Sequence, residues 1–284
     1  MTDSDDDLAA ELAGEAGRRL LALRAGGGDA QALRDAGDRM SHEFLTAELA
    51  RLRPGDAVLS EEGADDPVRL SARRVWIVDP LDGTREYGEP GRTDWAVHVA
   101  LWTDGELTAG AVGLPAQDTV LSTAAFNAAV NAEGQPAGRQ AGAATETPAG
   151  TGEDSGLPLR LLVSRSRPPA FVTDLAASLD AVLVPMGSAG AKAAAVIDGQ
   201  ADAYVHSGGQ YEWDSAAPVA VARAAGLHAS RIDGSDLRYN QENPSVPDIL
   251  ICPIGLAATL LAAIDRSRTG QAAGQTEPGR TTTQ

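Results

Sequence analysis

Apolar positions along the chain change period several times, and each change marks an element. Residues 8–23 repeat leucine and alanine at helical spacing and stop at Gly26-Gly27-Gly28, which predicts an amphipathic helix with a glycine terminus. A second helix is predicted over residues 30–52, closing before Pro54-Gly55. Residues 57–60 read as a short strand. The run Val75-Trp76-Ile77-Val78 reads as a buried strand ended by Pro80, since proline cannot donate to a sheet ladder. Residues 95–102 alternate, Asp104-Gly105 signals a hairpin, and residues 107–114 return. With a further strand at 119–125, the first half reads as helices on an antiparallel sheet.

Residues from about 131 to 156 carry almost no large apolar side chains, so a flexible insertion is expected there. Beyond it, strands at 159–164, 181–185, 201–205 and 249–251 alternate with helices at 170–179, 190–197, 214–225 and 256–264. The polar tail 265–284 is expected to be disordered. Two halves are therefore predicted: 1–158, α+β, and 159–264, α/β.

Composition narrows the classes. A formal charge of −17 argues against general nucleic-acid binding and requires a local cationic device for any anionic substrate. Cys252 is the single cysteine, which excludes a disulfide scaffold. No apolar run approaches the length of a membrane span, and the acidic start is unlike a signal peptide, so a cytoplasmic protein is expected.

The candidate chemistry begins where the apolar run meets Asp79-Pro80-Leu81-Asp82-Gly83-Thr84. Two acids at one strand end repel unless a cation lies between them, and oxygen-only ligation suits Mg²⁺, or Mn²⁺, rather than zinc. Gly83 and Thr84 would offer backbone N–H groups to a phosphate. Upstream stand Glu61-Glu62, and downstream Tyr211-Glu212-Trp213-Asp214-Ser215-Ala216 opens an alanine-rich helix.

Taken in order, Glu61-Glu62, the Asp79–Thr84 motif and Trp213-Asp214-Ser215-Ala216 resemble the lithium-sensitive, magnesium-dependent phosphatases of the inositol monophosphatase superfamily, over about residues 8–264. Leu59-Ser60-Glu61-Glu62, Arg85-Glu86-Tyr87, Val163-Ser164-Arg165-Ser166 and Gly187-Ser188-Ala189-Gly190-Ala191-Lys192 look like its CysQ-type branch, which converts 3'-phosphoadenosine 5'-phosphate to AMP and phosphate in sulfate assimilation. The resemblance implies a layered αβαβα sandwich, two or three Mg²⁺ ions, metal-activated water and a possible homodimer. It implies metal ligation by Glu61, Asp79, the Leu81 carbonyl, Asp82 and Asp214. It also implies water activation by Glu61 with Thr84 and Asp38, although Gly37 replaces the threonine usual before that last acid. Phosphate would meet Gly83 and Thr84. Ser164, Arg165, Ser188, Lys192, Glu212 and Arg238 would contact the rest of the substrate, Arg165 taking a second phosphate.

Each residue also has a plainer reading. Asp82-Gly83 alone is a turn, Glu61-Glu62 a solvated loop, Asp214 an N-cap, Ser188 a helix start, Arg165 a surface residue and Lys192 part of a solvated helix face. The four histidines lack zinc-like spacing and read as structural, and Cys252 reads as a small buried hydrophobe. A haloacid-dehalogenase-type phosphatase would need Asp-x-Asp-x-Thr, which Pro80 and the spacing contradict. An inositol monophosphatase or fructose-1,6-bisphosphatase would share the acidic apparatus, leaving Arg165 and Lys192 to favour the nucleotide. A non-catalytic metal-dependent binding protein would have lost a ligand or Thr84, and neither is lost.

Overall fold

The computed structural model describes residues 4–133 and 157–274. In chain order the elements are α1 (Asp5–Ala25), α2 (Ala30–Leu52), β1 (Ala57–Ser60), β2 (Arg74–Asp82), α3 (Thr84–Tyr87), β3 (Ala96–Thr103), β4 (Glu106–Leu114), β5 (Thr119–Ser122) and α4 (Thr123–Glu133). There follow β6 (Arg160–Ser164), α5 (Val172–Ser178), β7 (Val182–Met186), α6 (Ala189–Ile197), β8 (Ala203–Tyr211), α7 (Glu212–Ala224), β9 (Leu227–Ser230), β10 (Ser245–Pro253) and α8 (Ile254–Gly274). Two five-stranded sheets result, ordered β1-β2-β3-β4-β5 and β7-β6-β8-β10-β9.

Strand alternation sets the layers. Trp76, Val78, Val97, Val99 and Leu101 face α1 and α2, whose Leu8, Leu12, Leu20, Leu45 and Leu49 complete one core. The opposite face of that sheet, with Val75, Ile77, Ala96 and Ala100, packs on α6 and α7, and these in turn cover Leu162, Tyr204, Ile249 and Ile251 of the second sheet. The second sheet's other face buries Leu161, Val163, Val205, Leu250 and Cys252 against α5 and α8. The result is the αβαβα sandwich expected, with α6 and α7 as the shared middle layer.

Several local expectations are corrected. Pro80 does not end its strand; β2 continues to Asp82 through a bulge, pairing Asp79 with His98 and then Asp82 with Ala96. A bulge leaves residues unpaired, so the missing N–H of Pro80 costs no ladder bond. The first sheet is mixed, because β1 runs parallel to β2. Strand 119–125 stops at Ser122, whose hydroxyl accepts from the Ala125 amide and opens α4; that helix reaches Glu133, inside the predicted insertion. Residues 134–156 lie outside the described residues, as do 275–284. The tail prediction fails over 265–274, where α8 continues. There Ser267 is buried and its hydroxyl bonds back to the Ala263 carbonyl, while Thr269 bonds back to Asp265. β9 was not predicted, and β10 is longer than the stretch 249–251. No helix among the described residues is long and apolar enough to cross a membrane.

Candidate active site

The bulge in β2 is what aims the acids. It delivers Asp79 and Asp82 to one strand end, and Gly83 then turns with φ +82, a left-handed conformation open to glycine, to start α3 at Thr84. Asp214 arrives from the first turn of α7, where its Oδ2 accepts from the Tyr211 amide at 2.7 Å. Carboxylate oxygens of Asp79, Asp82 and Asp214 lie within 4.8 Å of one another. They line a pocket of about 250 Å³ together with Glu61, Leu81, Gly83, Thr84, Ser164, Arg165, Ser188 and Lys192.

Each acid is held by a few specific atoms. Asp79 Oδ1 accepts from the Leu81 amide at 3.0 Å. Asp82 Oδ2 receives the Ser188 hydroxyl at 2.5 Å and the Gly190 amide at 2.8 Å, which leaves Oδ1 as the atom it offers to the pocket. The Leu81 carbonyl accepts from the Thr84 hydroxyl at 2.9 Å, and Asp38 Oδ1 stands 3.4 Å from that hydroxyl. Ser188 caps α6 with φ +25, a costly region for a residue with a side chain. The buried Lys192 offsets that cost: its Nζ donates to the Gly187 and Ser188 carbonyls at 2.5 and 2.8 Å.

Burial and mutual repulsion raise most of these acids. Burial, then the charge of Glu61, holds Asp79 well above the usual carboxylate range. Burial and then Asp82 raise Asp214 to about 6. Burial and then Asp214 raise Glu61 to about 7, though its outer surface stays open to solvent. Asp38 is raised to about 7 by burial and by Glu62. Burial alone would raise Asp82 as well, but His98 draws it below its ordinary value. Crowded carboxylates with oxygen-only donors fit a hard divalent ion, whose charge would draw the raised acids of the cluster back down.

Five predicted substrate contacts are elsewhere or already engaged. Arg165 lines the pocket, but its guanidinium donates to Glu86 at 2.9 Å and to both oxygens of Glu89 at 2.8 and 3.0 Å, so it is committed to protein carboxylates. Glu212 turns away from the pocket and accepts from the Asn240 and Gln241 amides at 2.6 and 2.7 Å. Arg238 is exposed and lines a separate surface groove with Arg231 and Ser235. Ser188 and Lys192, also predicted to contact substrate, line the pocket, but the Ser188 hydroxyl is engaged by Asp82 and the Lys192 Nζ by the Gly187 and Ser188 carbonyls. Lys192 is buried, which excludes the plainer solvated-face reading, and burial lowers it to about 8. Sequence reasoning missed Gln210, Tyr204 and His206 on the pocket wall, and His98 behind Asp82. The signal for His98 was present: it replaces an apolar residue between Ala96 and Ala100 on the buried face of β3.

Such a centre, at the ends of β2 and α7 between two sheets, defines a class of protein. The sequence profile of the inositol monophosphatase family matches residues 6–267, and the chain belongs to that family. Among individual proteins, it is 48% identical over 274 residues to the 3'-phosphoadenosine 5'-phosphate phosphatase of Mycobacterium leprae, covering 92% of this chain and 93% of that one. It is 32% identical to the 3'(2'),5'-bisphosphate nucleotidase CysQ of Escherichia coli, covering 72% and 78% of the two chains. The fold is also that of inositol monophosphatase II from Staphylococcus aureus, with a TM-score of 0.69 at 20% identity, covering 90% and 93%.

Proposed function

We propose that this chain is a Mg²⁺-dependent phosphatase that takes 3'-phosphoadenosine 5'-phosphate and water to AMP and phosphate, a cytoplasmic step of sulfate assimilation. The observation that carries the substrate is the 48% identity to a phosphatase of that name along nearly the full length of both chains. The carboxylate cluster supports the chemistry. Asp79, Asp82, Asp214, Glu61 and the Leu81 carbonyl would hold the metal, with Mn²⁺ as an alternative ion. Once bound, the metal supplies charge relief to the phosphoryl group and eases deprotonation of water.

The chain's own groups supply the rest. Gly83 and Thr84 present backbone amides to phosphate oxygens at the start of α3. The Thr84 hydroxyl, already donating to the Leu81 carbonyl, is left to accept a hydrogen bond from the attacking water. Asp38, beside that hydroxyl and raised to about 7, is placed to take up a proton near neutral pH. With Arg165 committed to Glu86 and Glu89, the exposed guanidiniums of Arg85 and Arg167 on the pocket rim serve a second phosphate.

Phosphate release with Mg²⁺ from 3'-phosphoadenosine 5'-phosphate, inositol 1-phosphate and fructose 1,6-bisphosphate tests the reading side by side. A kcat/KM preference for the nucleotide of about 10²-fold or more, roughly 2.7 kcal/mol of transition-state discrimination, is expected. Equal or better turnover of a sugar phosphate would keep the metal centre and discard the nucleotide.

A further inference from the structure

We propose that His98 is a positioning residue of the metal centre, tying Asp82 and the Asp214-bearing end of α7 to β3 so that the carboxylates keep their spacing. The proposal rests on the metal-centre reading above. His98 is fully buried in the middle of β3, on the face that meets α6 and α7. Its Nδ1 lies 3.0 Å from the carbonyl oxygen of Trp213, the residue before Asp214. Its Nε2 stands 3.1 Å from Asp82 Oδ2, somewhat off the line of an ideal hydrogen bond. One ring therefore links Asp82 to the backbone beside Asp214, two acids on elements far apart in sequence.

The surroundings are shaped for that ring. Its neighbours on the same face of β3 are the small residues Ala96 and Ala100. Gly190 on α6 leaves the space that the ring fills, since a Cβ there would stand 2.2 Å from Nε2. A space-filling role alone would need only the ring's volume. The polar contacts at both ends point to more: together with Ser188 and Gly190, His98 fixes which oxygen Asp82 turns into the pocket. Partners behind a ligand orient it in this way, and their loss weakens metal binding without touching the metal.

Mn²⁺ binding to the purified full chain, followed by isothermal titration calorimetry, separates the two roles. The unfolding temperature in EDTA serves as the fold control. H98F and H98M fill the same space with apolar atoms and remove both ring nitrogens. They are expected to keep the metal-free fold and lose about tenfold or more in Mn²⁺ affinity. H98Q, which can still donate to Asp82, is expected to recover part of that loss. Substrate KM at saturating Mg²⁺ should stay within about twofold of wild type, because the ring does not line the pocket. A folded apolar variant that loses less than about fivefold in affinity overturns the proposal. If neither apolar variant folds, the same threshold applies to H98A. Failure of the wild-type chain to bind Mn²⁺ would overturn the metal-centre reading and this proposal with it.

Discussion

Arg165 separates two kinds of residue in this pocket. A guanidinium with carboxylates on three of its nitrogens is a brace, because freeing it for a phosphate would strand the buried Glu86 and release Glu89. As a brace it holds α3, and with it Gly83 and Thr84, against the end of β6. R165A should therefore lower kcat/KM for 3'-phosphoadenosine 5'-phosphate and for inositol 1-phosphate by similar factors, about tenfold each. Loss confined to the bisphosphate would return Arg165 to the substrate. Asp82 is the converse case: D82N should reduce turnover by about 10³-fold or more while the far-UV circular dichroism is unchanged. His206 contributes through burial. Its Nε2 donates to the Gly208 carbonyl at 2.7 Å, its Nδ1 has no partner, and burial lowers its pKa to about 4. Between pH 6.5 and 4 the unfolded chain takes up a proton there that the folded chain refuses, so stability falls as pH drops through that window. Urea unfolding at pH 7.5 and 4.5 should show a loss on the order of 2 kcal/mol that H206L lacks. The acids were legible because their spacing is local and unusual. Arg165, Glu212 and Arg238 were not, because a side chain's partner depends on what the fold brings opposite it, as Glu86 and Asn240 show.

Elements here are coupled through close approaches rather than through large interlocking side chains, as an alanine-rich middle layer requires. Gly190 on α6 and Gly110 on β4 both lie at such contacts, where a Cβ would stand 2.2 Å from His98 Nε2 or 2.6 Å from the Ala220 Cβ. G190A and G110A should each destabilise by about 1–3 kcal/mol through overpacking, measured as a fall in the urea midpoint. Only G190A should also weaken Mg²⁺ activation, because only it displaces groups that hold Asp82. Equal effects of both substitutions on Mg²⁺ activation would show that the middle layer transmits strain broadly. Periodicity found most helices and strands within a few residues, and α2 and β1 at the bounds observed. It did not find the β2 bulge, the parallel pairing of β1, or β9, since register and partner are properties of two strands and a sequence window reports one. The continuation of α8 was missed because hydroxyls bonding back to the previous turn let a polar stretch stay helical.

At the scale of the whole molecule, the chain stores like charge at its centre as well as over its surface. It carries a formal −17, and three carboxylates converge between its two sheets, two of them raised by burial and by neighbouring acids. Without a cation that arrangement opposes folding; with one it favours folding by mass action. At a Mg²⁺ concentration about 100 times Kd the gain is about 2.7 kcal/mol, which for a domain of this size raises Tm by roughly 5–10 °C. D214N separates the two effects. The asparagine oxygen can still accept from the Tyr211 amide, so the start of α7 is kept, while the repulsion from Asp82 disappears. In EDTA the variant should unfold at or above the wild-type temperature, and the rise on adding Mg²⁺ should vanish. Function is then sited where stability is sacrificed until the ligand arrives. Differential scanning calorimetry of both chains, with and without Mg²⁺, measures all four values. A D214N chain less stable than wild type in EDTA would mean that Asp214 serves the metal-free fold, and that His98 and Lys192 already offset the cluster's charge.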